Sequence, residues 1–528
     1  MSGPLPDPTP EGIQDCIEVL EALVQQPALL ARMDLETRNR LVIAAGRVSR
    51  PSRAEQTVAA RAVKKKQKGA LRAADEAQLL RTGIRQKRLA PVFVTPDPRS
   101  LAESGGGTHD GSAPPANAEA RVDAEAAPAL NTPRNCYVCK TRCEHVHFFY
   151  DQMCRACGDF NFAKRSQTAN LTGRVALISG ARVKIGYQAA ILLLRAGCRV
   201  LVSTRFPRDA ALRYAREVDY TEWKDRLQIY GLDLRHTPSV EAFARHLQRQ
   251  LHGLDFVLHN ACQTVRRPTG FYRHLMQAEL GELHHLPAPA RALLSEYEAM
   301  RADAPLLRAG DEDGSHGAEL RPSAWAGVLS APALSQVALT PEDLQGGAQL
   351  FPEGALDADL QQVDLRGINS WRLALDQVST VELLEVQLVN AIAPFVLNAK
   401  LRPLMQRERT FDKHIVNVSA MEGQFYRRFK TDKHPHTNMA KAALNMMTRT
   451  SAPDYAKDGI FMNSVDTGWV TDEDVAHIAE RKTREAGFHP PLDIVDGAAR
   501  IVDPIFDGLN TGRHVWGQFL KDYRPTAW

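Results

Sequence analysis

The sequence has few cysteines, no long apolar run and little excess charge, and each shortage excludes a class of protein. Eight cysteines in 528 residues, five of them within residues 136–157, do not fit a disulfide framework. Their clustering favours a metal site in a reducing compartment. No apolar run approaches the roughly 20 residues that span a bilayer, and residues 1–10 lack the regions of a secretory signal. We therefore expect a soluble, cytoplasmic protein.

The composition is that of a globular protein with no obvious class of partner. Hydrophobic residues make up 44% and charged residues 24% of the chain, which is enough to build a large core. A net charge of +4 on a chain of this length points to no particular partner. The length predicts about three domains.

The first part of the chain predicts helices followed by a linker. Apolar residues between Ile13 and Val24 recur at three- and four-residue steps, the pattern of an amphipathic helix. Residues 47–88 contain 13 Lys or Arg and 3 Asp or Glu. A solvated helical face explains this charge, and weak binding to nucleic acid or another anionic partner is the alternative. We therefore predict a helical region over residues 1–90. Residues 91–135, poor in large apolar side chains, are a predicted disordered linker.

Two C-x2-C pairs form the next feature, predicted as a small module over residues 136–165. Fourteen residues separate the pairs, and each pair can turn two thiolates inward to complete a tetrahedral zinc site. A site with four thiolates has no open position, so we expect it to be structural. Cys143, His145 and His147 are surplus candidates that could replace a thiolate or form a second site, and unligated core cysteines are the alternative. The predicted ligands are Cys136, Cys139, Cys154 and Cys157.

From residue 171 onward, strand and helix patterns alternate, which predicts an α/β fold with a doubly wound parallel sheet. The apolar run 174–178 leads into a Gly-containing turn over residues 179–186, and a helical pattern and a second strand pattern follow. In such a βαβ unit the pyrophosphate of a dinucleotide sits at the helix N-terminus, where free N–H groups face it. The unit therefore predicts a Rossmann-type dinucleotide-binding domain over residues 171–528.

These residues resemble the short-chain dehydrogenase/reductases, whose first turn has the pattern T-G-x-x-x-G-x-G. The chain matches at Ser179, Gly180 and Gly186, and it carries Lys184 in place of the middle glycine, as the NADPH-using pteridine reductase branch does. Arg205 closes the second strand pattern, where NAD-preferring relatives carry an acid. An arginine there would attract the 2′-phosphate of NADP(H), and the alternative is a solvated charge at a strand end.

Further matches follow in the family's order to about residue 472. Asp233 and Leu234 end the third strand pattern, where the family contacts the adenine. Residues 259–262 are similar to N-N-A-G, Asn390 occupies the place of the family's helix asparagine, and residues 463–470 resemble N-x-V-x-P-G-x-V. The resemblance implies NADP(H) as cofactor and a binding site made of Gly180, Arg182, Lys184, Ile185, Gly186, Arg205, Asp233, Leu234, Asn260, Ala261 and Lys441.

The family's catalytic pattern is incomplete in this chain. The family uses Tyr-x-x-x-Lys, in which tyrosine is the acid or base and lysine lowers its pKa, together with a serine that polarises the carbonyl. Here Lys441 is present, but Thr437 stands in the place of the tyrosine. The serine is uncertain because the family position falls on Ala420, so that Ser419 either replaces it or points into the sheet. The implied catalytic residues are Asn390, Ser419, Tyr426, Thr437 and Lys441.

A threonine hydroxyl is too weak an acid to replace tyrosine directly, so a substitute is sought in the loop over residues 421–436. That loop offers Tyr426 as the leading candidate, His436 next, and also His434 and Glu422. Two interpretations stand. The protein is a reductase with a relocated proton donor, acting on a carbonyl, alcohol or enoyl substrate, or it is a catalytically silent scaffold that binds NADP(H).

A third hypothesis is a nucleic-acid-associated protein that uses the basic stretch and the cysteine module. The long irregular stretch over residues 267–375 is a predicted insertion at the edge of the substrate cleft, and a lid and an interaction surface fit it equally well. The expected partners are a small-molecule substrate, a protein that docks on the N-terminal region and a second copy of the chain. Nucleic acid is a less favoured partner than these three, and no membrane association is expected.

Overall fold

The computed structural model describes residues 9–97, 129–302, 330–344, 347, 349–426 and 430–528. Most of the predicted linker, residues 98–128, lies outside the described residues, and so do residues 303–329 of the predicted insertion. The chain forms two compact units, Met1–Ala77 and Gln78–Trp528. The first boundary thus falls inside the helical region that the sequence predicted over residues 1–90.

The first unit is helical, as its apolar periodicity predicts. Its helices are α1 (Pro10–Gln25), α2 (Leu35–Ser49) and the greater part of α3 (Arg53–Leu80), with a 3₁₀ turn over Pro27–Arg32. Side chains cap the first two helices, because Thr9 accepts from the Gly12 N–H and Asp34 accepts from the Thr37 N–H. Leu23 is buried, whereas much of the apolar face of α1 and α2 remains exposed.

The second unit contains an eight-stranded sheet. The strands are β3 (Val175–Ser179), β4 (Arg199–Thr204), β5 (Leu227–Gly231), β6 (Phe256–His259), β7 (Lys413–Ser419), β8 (Ile460–Asp466), β9 (Phe519–Lys521) and β10 (Arg524–Thr526). Their order is β10-β9-β8-β7-β6-β3-β4-β5, and all neighbours are parallel except β9 and β10. The strands β3 to β8 are mostly apolar and buried, as parallel strands covered by helices are.

Helices cover both faces of this sheet. In chain order they are α4 (Gly83–Leu89), α5 (Arg155–Arg165), α6 (Lys184–Arg195), α7 (Pro207–Tyr214), α8 (Tyr220–Trp223), α9 (Thr237–Gln250), α10 (Arg273–Leu280), α11 (Ala288–Ala292), α12 (Ser295–Ala302), α13 (Ala331–Leu334), α14 (Pro341–Leu344), α15 (Thr380–Gln387), α16 (Ala393–Met405), α17 (Pro435–Ala456), α18 (Ala476–Ala486) and α19 (Ile494–Thr511). Short 3₁₀ turns cover Lys224–Arg226, Thr269–Tyr272, Leu283–His285, Ser370–Arg372, Leu375–Gln377 and Met421–Gly423.

The predicted Rossmann-type fold is confirmed. The chain order of the strands reverses between β3 and β6, and such a point opens a crevice at the carboxyl ends of the strands. This crevice holds the candidate site. The run Thr380–Met405 is long and apolar enough to cross a membrane, but Leu397, Leu401 and Leu404 lie in the central hydrophobic core of this unit. Such burial is typical of the core helix of an α/β fold.

The predicted insertion packs closely against the sheet. The Ile229 N–H donates to Leu293 O at 2.9 Å, so the chain before α12 covers the edge strand β5. Arg266 forms an ion pair with Asp343 at 2.7 Å and with Glu385 at 3.2 Å. The described parts of the insertion are therefore held to the fold by buried contacts.

The cysteine segment belongs to the same compact unit as the α/β fold. Its two strands, β1 (Arg134–Asn135) and β2 (Arg142–Cys143), pair antiparallel. Cys136 and Phe149 share a hydrophobic cluster with Val470 and Leu492 of the α/β fold. Basic residues of the 47–88 stretch also serve this packing, because Arg85 pairs with the buried Asp151, and Arg88 donates to Leu492 O at 3.1 Å.

Candidate active site

The turn between β3 and α6 requires glycine at two positions. Gly180 has φ +70, and a Cβ there would lie 2.6 Å from the Ala261 Cα. At Gly186 a Cβ would lie 2.6 Å from Gly180 O and closer still to the Asn260 side chain. Asn260 Nδ2 in turn donates to Gly180 O at 2.9 Å. The turn after β3 and the segment after β6 are thus locked together, which places free N–H groups of α6 at the crevice.

Lys184 and Ile185 lie in this turn. Lys184 has φ +57, a conformation that favours glycine, and it stands where the family pattern has one. Burial alone would lower the pKa of its ammonium, but the carboxylates of Glu473, Asp359 and Asp357 outweigh burial and raise it. Ile185 lines the same crevice. A charged lysine therefore lies in the turn between β3 and α6, at the wall of the crevice.

Arg205 lies in the half of the crevice next to the carboxyl ends of β4 and β5. Its guanidinium donates to the Tyr272 hydroxyl at 2.7 Å and stacks over that ring at 4.8 Å. Asp233 and Leu234 line the crevice just beyond β5, and Asp233 is held by Arg235 at 2.6 Å. Arg205 therefore forms no ion pair among the described residues, although its charge, together with Arg235, outweighs burial and lowers the pKa of Asp233.

Arg182 differs from Arg205, because an acid neutralises it. Its guanidinium pairs with Asp209 at 2.6 Å, and Arg213 pairs with the same carboxylate at 2.7 Å. Burial would raise the pKa of Asp209, but the two guanidinium groups outweigh it and hold that pKa low. The sequence predicted three cations for a phosphate, and among the described contacts Arg182 is the one of these three that forms a direct ion pair.

One cavity of about 1120 Å³ connects these residues with the other half of the crevice. Its walls follow the carboxyl ends of β3 to β8, and residues of the insertion, including Gln361 and Trp371, close one side. At the far end Lys441 of α17 reaches the cavity, and its Nζ donates to Val418 O at 2.7 Å. Asn390 lies in the π-helical turn Leu388–Ile392 and clamps Gln263, accepting from its N–H at 2.7 Å and donating to its carbonyl at 3.2 Å.

Two family models match the chain around this cavity. The model described as short chain dehydrogenase covers residues 174–279, and the model described as Enoyl-(Acyl carrier protein) reductase covers residues 367–491. The chain is also 31% identical over 400 residues to the uncharacterized protein R665 of Acanthamoeba polyphaga mimivirus. The match covers 74% of this chain and 74% of that protein. Over residues 174–279 and 367–491 the chain is therefore similar to the short-chain dehydrogenase type of protein.

Other relatives match smaller shares of the chain. Retinol dehydrogenase 11 of Homo sapiens is 30% identical over 127 residues, 23% of this chain and 40% of that protein. Among solved structures, a putative short-chain dehydrogenase/reductase from Burkholderia multivorans with bound NADP has 17% identity and a TM-score of 0.38, covering 67% of this chain and 99% of that one. The carbonyl reductase Sniffer of D. melanogaster has 15% identity and a TM-score of 0.39, covering 68% and 100%.

Two hydroxyls that the short-chain dehydrogenase resemblance implied as catalytic are buried. Ser419 ends β7 within the cavity wall, and its Oγ has no hydrogen-bond partner among the described residues. Thr437 lies in the first turn of α17 and is 3% exposed, and its Oγ1 also lacks a partner in the described part of the chain. Thr437 is not part of the cavity wall. A threonine is too short to reach the cavity from the position that the family gives to a tyrosine.

The structure separates the four candidates for a relocated proton donor. Tyr426 is 93% exposed and lies outside the cavity wall, so the structure does not bring the leading sequence candidate to the site. His436 is buried with its Nε2 3.6 Å from Glu382, also outside that wall. Glu422 and His434 do line the cavity.

The four predicted metal ligands come together. The sulfurs of Cys136, Cys139, Cys154 and Cys157 lie within 4.8 Å of one another, and the Cys139 and Cys154 sulfurs are 3.7 Å apart. Zn–S bonds of about 2.3 Å at a tetrahedral centre place sulfurs about 3.8 Å apart. The donor set and its spacing thus fit one metal ion.

The surplus candidates have other contacts. His147 Nδ1 accepts from the backbone N–H groups of Phe149 at 3.0 Å and Tyr150 at 3.2 Å, so this imidazole organises the turn between the two cysteine pairs. Cys143 Sγ lies 3.2 Å from Arg134 O. His145 is exposed. The cluster of four sulfurs includes none of these three residues.

Sequence reasoning missed two cavity residues that come from the cysteine segment. Tyr137 and Lys140 line the cavity, and the Tyr137 hydroxyl accepts from the Trp469 N–H at 3.1 Å. Burial raises the pKa of the Tyr137 phenol, although the nearby Lys521 opposes the shift. These residues lie more than 300 positions from Trp469. The chain contains no local pattern that could have revealed the contact.

Proposed function

We propose that this protein is an NADP(H)-dependent oxidoreductase that acts on a carbonyl, alcohol or enoyl substrate. The observation that carries the proposal is the single cavity that joins the Gly180–Gly186 turn and Arg205 at one end to Lys441 at the other. When bound, NADP(H) supplies the hydride chemistry. The chain's part is to seat the dinucleotide on the N-terminus of α6 and to hold its reactive end beside Lys441.

Cofactor preference rests on Arg205. Its charge faces the cavity at the end of β4, where a ribose 2′-phosphate would lie, and the Tyr272 hydroxyl fixes the guanidinium in place. A charge-assisted hydrogen bond contributes about 1.5–3 kcal/mol, which is roughly tenfold or more in affinity. Lys184 adds a second charge nearby, although the carboxylates of Glu473, Asp359 and Asp357 face it. Arg182 is held in an ion pair with Asp209, which it shares with Arg213.

Calorimetry with NADPH and NADH tests this proposal. Wild type should bind NADPH at least about tenfold more tightly than NADH, and Arg205→Asp should remove or invert that preference. Arg199→Asp is the matched control, because Arg199 begins the same strand at the exposed opposite end. Equal binding of both cofactors by wild type would contradict the NADP(H) assignment.

We further propose that the four thiolates hold a structural zinc ion, because a complete shell of four sulfurs leaves no site for a substrate. Metal analysis of the purified protein should give one zinc per chain, and Cys139→Ser should lose it. Cys143→Ser is the control and should keep the metal, since Cys143 lies outside the cluster. Protein without stoichiometric zinc would refute this assignment.

A second candidate function is a catalytically silent NADP(H)-binding scaffold. The observation that favours it is the burial of the two hydroxyls at the family's catalytic positions. Ser419 Oγ and Thr437 Oγ1 are both buried and have no hydrogen-bond partner among the described residues. Tight NADPH binding with no turnover of carbonyl or enoyl probes would support the scaffold over the oxidoreductase.

A further inference from the structure

The cavity needs a group that can move a proton, and the start of α17 offers one. Asn438 and Lys441, three residues apart on one face of this helix, line the cavity. His434, the residue that caps the helix N-terminus, lines it too. His434 therefore lies at the cavity beside the helix that carries Lys441, three residues before Thr437, which stands in the place of the family's tyrosine. We propose that the imidazole of His434 transfers the proton at this site, an inference that rests on the proposed oxidoreductase function.

The His434 ring is held in one orientation. It stacks on the Trp371 indole with centroids 3.9 Å apart and planes 5° apart. The backbone N–H of His434 donates to Leu373 O at 2.9 Å, so the insertion fixes both its backbone and its ring. His434 also has φ +40, which is costly for a residue with a side chain and persists only where surrounding contacts enforce it.

One ring nitrogen of His434 lacks a hydrogen-bond partner. The side chain is 7% exposed, and its buried Nδ1 has no partner in the described part of the chain, while the Asn438 side chain hydrogen-bonds to the ring and helps to raise its pKa. His436, in the first turn of α17, lies beside Glu382 and outside the cavity wall. Of the two histidines, His434 is thus the one that lines the cavity.

The surroundings of His434 set its charge. Burial lowers the pKa of the imidazole below its ordinary value of 6.5. The carboxylate of Glu422, from the loop after β7, opposes that shift, while His436 adds to it. On the insertion side, Arg372 next to Trp371 is neutralised by Asp474 at 2.6 Å. The ring is therefore neutral at pH 7 and ready to accept a proton.

The proton and the hydride balance in either direction. In oxidation the alcohol O–H gives its proton to the imidazole, the C–H bond breaks as a hydride passes to NADP+, and a C=O bond forms. The imidazolium then releases the proton to water. In reduction an imidazolium gives its proton to the carbonyl oxygen while the carbon receives the hydride. The reduction rate should consequently rise as pH falls toward the pKa of His434.

The test is NADPH oxidation by wild type and His434→Asn, with phenanthrenequinone and cinnamaldehyde as carbonyl probes. General acid–base help contributes about 10²–10⁴-fold. We expect His434→Asn to lower kcat at least about tenfold, to leave the NADPH Kd nearly unchanged and to remove the rise in rate at low pH. His285→Asn, at an exposed histidine outside the cavity, should behave as wild type.

The outcomes distinguish a failure of the His434 assignment from a failure of the proposed oxidoreductase function. If wild type turns over either probe and His434→Asn keeps its rate and pH profile, the His434 assignment is wrong and the oxidoreductase stands. If wild type binds NADPH but turns over neither probe, the oxidoreductase proposal falls and the assignment falls with it. A proton NMR titration gives a second readout, because a His434 ring that titrates identically with and without NADP+ does not face the ligand and would overturn the assignment.

Discussion

At Thr437 the chain keeps a buried hydroxyl that has no hydrogen-bond partner among the described residues. A buried polar group without a partner costs about 1–3 kcal/mol. Thr437→Val has nearly the same shape and removes that group, so the free energy of unfolding should stay the same or rise by about 1 kcal/mol. Urea unfolding measures this change. If Thr437→Val is less stable than wild type, the hydroxyl has a hydrogen-bond partner. If the variant loses turnover, Thr437 is a catalytic residue after all.

Gly186 illustrates a residue whose role the sequence alone could predict. A Cβ there would collide with Gly180 O of the same turn and with the Asn260 side chain of the segment after β6, where we propose that the pyrophosphate binds. We expect Gly186→Ala to weaken NADPH binding at least about tenfold, equivalent to about 1.4 kcal/mol. Gly367→Ala is the control, because a Cβ there meets nothing within 4 Å. Unchanged NADPH affinity in Gly186→Ala, measured by calorimetry, would contradict the placement of the dinucleotide.

At the scale of elements, the sequence predicted the βαβ unit and a parallel sheet, because its strand patterns are continuous apolar runs that alternate with helical patterns. It did not predict the hairpin of β9 and β10, whose short strands carry little periodic signal. It also could not show that Arg182 pairs with Asp209, 27 residues away, because only the fold brings the two together. For the same reason it ranked His434 behind Tyr426 and His436 as a candidate proton donor, since only packing places His434 at the cavity.

The cysteine segment is an element whose folding should affect cofactor binding. Tyr137 lies between two predicted metal ligands, and its hydroxyl meets Trp469 in the cavity wall. Structural metal sites contribute directly to local folding. We therefore expect metal removal by a chelator to weaken NADPH binding several-fold, as NADPH fluorescence titration would show, and zinc to restore it. Unchanged NADPH affinity in metal-free protein would show that the cavity is complete without this segment.

The whole second unit is held together by a buried ion cluster between α5 and α19. Arg165 pairs with Asp493 at 2.7 Å and with Asp496 at 2.8 Å, and the Tyr150 hydroxyl donates to Asp496 at 2.5 Å. This cluster joins the cysteine segment to the helix behind the dinucleotide site. The second unit should therefore unfold as one cooperative body, because neither part can separate without exposing buried charge.

Asp493→Asn tests that coupling. Asparagine can still cap α19, as Asp493 does through the N–H groups of Val495 and Asp496, so the substitution mainly removes the ion pair. Breaking a buried pair by removing one partner costs about 3–5 kcal/mol. The free energy of unfolding, measured in urea at pH 7, should therefore be about 3–5 kcal/mol higher for wild type than for Asp493→Asn. Asp507→Asn is the control, since Asp507 is half-exposed and 3.6 Å from Lys164, where a surface pair contributes below about 1 kcal/mol.

The difference in free energy of unfolding between wild type and Asp493→Asn should depend on pH in a definite direction. Burial by itself would raise the pKa of Asp493, but the guanidinium of Arg165 outweighs it and holds the pKa below the ordinary 3.8. A carboxylate with a lowered pKa in the folded state stabilises the protein fully above the unfolded pKa, and that contribution is lost as pH falls through the folded pKa. The gap between wild type and Asp493→Asn should hold constant from pH 7 to about 5 and shrink below pH 3.8. A gap that instead grows as the pH falls would show that the Arg165–Asp493 pair does not join the two parts.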